Sequence, residues 1–69
     1  MSTSSDHAEL STIRTLLDDL TTRVVAIADR YGASPDSAVA ADLYAAERSL
    51  IAARRSVERA SAALESPGT

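Results

Sequence analysis

Two rows of apolar residues, each stepping by three and four, flank the segment Gly32-Ala33-Ser34-Pro35 and can be folded back on one another so that facing residue numbers add to 70. The first row is Leu10, Ile13, Leu17, Leu20, Val24, Ile27 and Tyr31; the second is Val39, Leu43, Ala46, Leu50, Ala53, Val57, Ala60 and Leu64. Steps of three and four keep a row on one side of an α-helix. Folded at the central segment, Tyr31 opposes Val39, Ile27 opposes Leu43, Leu20 opposes Leu50 and Leu10 opposes Ala60. The pattern predicts an all-α chain, a two-helix antiparallel coiled-coil hairpin. From Leu43 onward the second row alternates a large residue with alanine, which suits close helix approach.

Local signals set the expected boundaries. Asp6 with Glu9 three residues on resembles a capping box and predicts a helix from about residue 6 to Tyr31, leaving Ser/Thr-rich residues 1–5 as a disordered tail. Gly32 is expected to end this helix in a left-handed cap, with Arg30 favourable at the negative end of the helix dipole. Ser34-Pro35-Asp36 reads as the start of a second helix over about 35–64, with Ser34 as cap and Pro35 at the first helical position. Ser66-Pro67-Gly68-Thr69 closes the chain as a second disordered tail, so the hairpin occupies residues 6–65.

A chain of 69 residues forms one domain whose core is marginal alone, so a homodimeric four-helix bundle is expected. If the two rows are consumed inside the hairpin, the apolar residues left over are Tyr44, Ile51 and Val25. Together with Ala40 on the second helix and Thr21 and Ala28 on the first, they outline the expected dimer or partner interface.

Charge is carried unevenly. All seven basic residues are arginine, as in a GC-rich bacterial genome, and Arg48, Arg54, Arg55 and Arg59 are offset locally by Glu58 alone in a chain of net charge −3. Arg14 and Arg54 fall on the same flank of the seam, where Asp18, Glu47 or Glu58 must compensate them or an anion must sit between them. These five arginines are the candidates for docking an acidic partner or a phosphate. The alternative function is accordingly an RNA- or nucleotide-binding hairpin. Two tyrosines and no tryptophan or phenylalanine leave almost no base-stacking platform, and the acidic balance weighs further against nucleic acid.

Catalytic chemistry finds little support. No cysteine is present and His7 stands alone, so neither a disulfide nor a metal centre is expected, and no cofactor. Asp18 and Asp19 are neighbours and point apart on a helix. Thr12, Thr15, Thr21, Thr22, Ser49 and Ser56 have no base placed to activate them. Arg14, Leu17, Asp18, Leu20 and Arg30 resemble the opening helix of the small all-helical chorismate mutases, a resemblance that implies arginines gripping substrate carboxylates. Tyr31 stands where that family's second arginine would fall, and no lysine is available for its essential one. The longest apolar run, Val24 to Ala28, is far below the roughly 20 residues that span a bilayer. The expectation is a cytoplasmic, non-enzymatic interaction or regulatory adaptor module, binding itself and another protein.

Overall fold

The computed structural model describes residues 3–34 and 37–65. They form two helices, α1 over Thr3–Tyr31 and α2 over Ala38–Glu65, packed as an antiparallel hairpin with no strand among the described residues. The hairpin is a rod of 51 × 19 × 13 Å with a radius of gyration of 15.9 Å, against about 11 Å for a compact domain of this length.

Both helix starts differ from the sequence expectation. α1 begins at Thr3, so residues 3–5 are helical and Asp6 lies within the first turn, where its charge meets the positive end of the dipole. α2 begins three residues later than expected because Ser37, not Ser34, is its cap: the Ala40 amide donates to Ser37 Oγ at 3.0 Å. Ser34 serves the turn instead, its amide donating to the Tyr31 carbonyl at 3.2 Å and its carbonyl accepting from Ser37 at 3.3 Å. The roles expected of Pro35 and Asp36, and the tail at 66–69, lie outside the described residues.

Gly32 donates to the Ala28 carbonyl at 2.8 Å and so prolongs the helical bonding of α1 without a left-handed backbone. Its value is space. A Cβ at this position would stand 3.2 Å from the Tyr44 hydroxyl and 3.4 Å from the Ala28 carbonyl oxygen.

Cross-helix ion pairs and burial mark one flank of the closing face. Among the described residues two ion pairs join the helices, His7 Nε2 with Glu65 Oε1 at 2.9 Å and Arg54 Nε with Asp18 Oδ1 at 2.5 Å, and both join residue numbers adding to 72. Ser11, Arg14, Glu58 and Ser61 share a crevice with His7 and Glu65 in that same register. Near the turn, Ala28 and Ala40 are 0 % and 5 % exposed and are the only buried apolar residues described. The seam therefore follows His7, Ser11, Arg14, Asp18, Thr21, Val25, Ala28 and Gly32 on α1, and Ala40, Tyr44, Glu47, Ile51, Arg54, Glu58, Ser61 and Glu65 on α2. Within each row these step by three and four, and they are small or polar apart from Val25, Tyr44 and Ile51. Alanine, glycine and serine let the backbones approach, and charges pair where longer side chains meet.

Candidate interaction surface

The position of the large apolar residues follows from this seam. Leu10, Leu17 and Val24 each precede a seam residue of α1 by one, and Leu43, Leu50, Val57 and Leu64 each precede one of α2. One position back is a rotation of about 100° about the helix axis. Because the helices are antiparallel, the same rotation about each axis turns both rows toward one side of the hairpin. Both rows thus border the seam on one side of the hairpin, where their exposed members form an apolar face.

Exposure agrees with that geometry. Leu10, Ile13, Leu17 and Val24, with Leu43, Ala46, Leu50, Val57 and Leu64, are half-buried along the inner part of the face. Leu16, Leu20, Ile27, Tyr31 and Val39 are 39 % to 54 % exposed, and among the described residues no large side chain is fully buried. At the end away from the turn, the face opens into a crevice of about 370 Å³ lined by Asp6, Glu9, Leu10, Ala60 and Leu64.

The six residues expected at a partner interface occupy the intramolecular seam. Ala28 and Ala40 are buried there, and Thr21, Val25, Tyr44 and Ile51 are half-buried along it. Enclosure within the hairpin takes Ala28 and Ala40 away from solvent, while the other four keep part of their surface. Tyr44 is held within the chain, its hydroxyl donating to Asp29 Oδ1 at 2.6 Å. That bond, burial, and the Asp29 and Glu47 carboxylates push the Tyr44 phenol above its ordinary value of 10.0.

The arginines divide into two sets. Arg54 is engaged by Asp18 and by Glu58, the latter through Nη1 and Oε1, so two carboxylates compensate its charge beside Arg14. The buried Nε of Arg54 makes a close charged contact with Asp18 without hydrogen-bond geometry. Arg14 is half-buried and lines the polar crevice with His7, Ser11, Glu58 and Ser61. Arg48, Arg55 and Arg59 each follow a seam residue by one and are exposed on the face opposite the apolar one, where Arg59 donates to Ser56 Oγ at 2.9 Å.

Asp18 and Asp19 point apart as their adjacency requires, Asp18 across the seam and Asp19 to Arg23 at 3.2 Å on its own helix. Thr12, Thr15, Thr21 and Thr22 each donate to the carbonyl four residues back, at 2.7 to 3.2 Å. Each hydroxyl thus bonds the backbone of its own helix. Among the described residues, no group of three or more His, Cys, Asp or Glu is placed to hold a metal ion. No described helix is long and apolar enough to cross a membrane. Protein-family models, curated proteins and solved structures give no match to this chain.

Proposed function

We propose that this chain is a non-enzymatic protein-interaction module that assembles through its apolar face, two hairpins stacking into a homodimeric four-helix bundle. The observation that carries this reading is the exposure of Leu16, Leu20, Ile27, Tyr31 and Val39 beside half-buried leucines on a hairpin without a sealed core. Its accessible surface is 4970 Å², whereas a compact monomer of 7.2 kDa exposes about 4,100 Å². The excess is close to the roughly 800 Å² that one partner contributes to a stable interface. In such a bundle Arg48, Arg55 and Arg59 stay on the outside, available to orient an acidic segment of a further protein, which is the adaptor role.

Leu20→Glu and Ile27→Glu test the face. Each is expected to weaken self-association by more than about 100-fold, since a carboxylate would have to be buried against apolar side chains. Arg55→Glu, on the opposite face, leaves it unchanged. Equal behaviour of all three variants would refute the reading.

A further inference from the structure

Resting on that reading, we infer that the two copies stack head to tail, the turn end of each hairpin seated on the open end of the other. The hairpin is closed at the turn, where Ala28 and Ala40 are buried and a Cβ at Gly32 would already crowd Tyr44. Toward the other end lie the crevices, among them the one between Leu10, Ala60 and Leu64 that opens on the apolar face. The projecting side chains of that face are distributed the opposite way: Ile27, Tyr31 and Val39 are all exposed beside the turn.

A two-fold axis crossing the rod near Leu20 matches these ends. It carries Tyr31 and Val39 of one copy to the level of Asp6, Leu10 and Leu64 in the other, so that projecting groups meet the hollow. With turns stacked on turns, Tyr31 and Val39 would meet their own copies and the two hollows would face each other unfilled. Chemistry follows shape. The tyrosine hydroxyl is a donor and the rim of the crevice carries Asp6 and Glu9, both acceptors. Arg30, exposed beside Tyr31, comes to the level of the partner copy's Glu9, a pairing of opposite charges at the interface edge.

The chain has no cysteine, so Ala33→Cys in the exposed turn gives one spin-label site per copy. Head-to-tail stacking places the two labels on the order of 40 Å apart, about the length of one helix at 1.5 Å per residue. A dipolar distance below about 25 Å in a dimer would overturn the head-to-tail arrangement while leaving the bundle intact. Absence of any dipolar coupling, together with a monomer mass for the unlabelled chain, would overturn both. Charge exchange gives an independent readout: Arg30→Glu and Glu9→Arg each weaken dimerisation by about tenfold, and the double variant recovers it. Failure of the double variant to recover, with both single variants still helical, counts against this packing.

Discussion

The Tyr44 hydroxyl donates to Asp29 Oδ1 at 2.6 Å, tying the first turns of α2 to the last turn of α1 immediately beside Gly32. The bond needs the phenol protonated. Its proton is held above the ordinary value of 10.0, first by the Asp29 bond, then by burial and by the carboxylates of Asp29 and Glu47. A group whose folded pKa is raised contributes its full stability below the unfolded value and loses it as pH rises. Thermal melts should therefore show a Tyr44-dependent decline that begins near pH 10 and deepens toward the raised folded value. Tyr44→Phe should melt lower than the parent at neutral pH and lack this component of the alkaline decline; an identical alkaline slope in both chains would refute the assignment.

Gly32→Ala ought to gain from helix propensity, roughly 1 kcal/mol at a helical site. Here the new methyl would stand 3.2 Å from the Tyr44 oxygen, which the Asp29 bond keeps in place. The expected result is a lower melting temperature in the parent background and a neutral or higher one in Tyr44→Phe, where that oxygen is gone. Equal shifts in both backgrounds would show that the two residues are not coupled.

Ala28 has no exposed surface and is enclosed near the turn of the hairpin. Ala28→Leu should cost about 1–3 kcal/mol by overpacking, read from urea unfolding. Ala26→Leu, exposed on the same helix, is the control and should change stability by less than about 0.5 kcal/mol.

The adjacent aspartates give a sharper contrast. Asp18 meets the half-buried Arg54 across the seam, whereas Asp19 meets an arginine on its own helix in open solvent. Asp18→Ala should cost up to about 1 kcal/mol and lose part of that difference in high salt, and Asp19→Ala at most about 0.3 kcal/mol. Comparable costs would mean that the cross-helix ion pair contributes nothing special to closure.

Helix number, the turn and the antiparallel sense were legible in the spacing of the apolar residues and in Gly32. The flank carrying the cross-helix ion pairs was less so. A three-four periodicity tells which side of a helix avoids water, and it is satisfied equally by two rows that face each other and by two rows that lie side by side. The signal that separates these cases is a second, quieter row: Ser11, Ala28 and Gly32 against Ala40 and Ser61, with Asp18 opposite Arg54. Read as small residues suited to close approach, it marks the seam and returns Leu20, Ile27 and Tyr31 to the surface. The start of α2 was ambiguous for a local reason, since Ser34 and Ser37 are both capable caps and only the bond from Ala40 distinguishes them.

Covering of the apolar face by a second copy is tested most directly by sedimentation equilibrium of the unmodified chain in dilute salt. The expected mass is twice 7.2 kDa, falling to that of a single chain in Leu20→Glu. A single-chain mass of 7.2 kDa at concentrations up to about 100 μM, unchanged by Leu20→Glu, would contradict it.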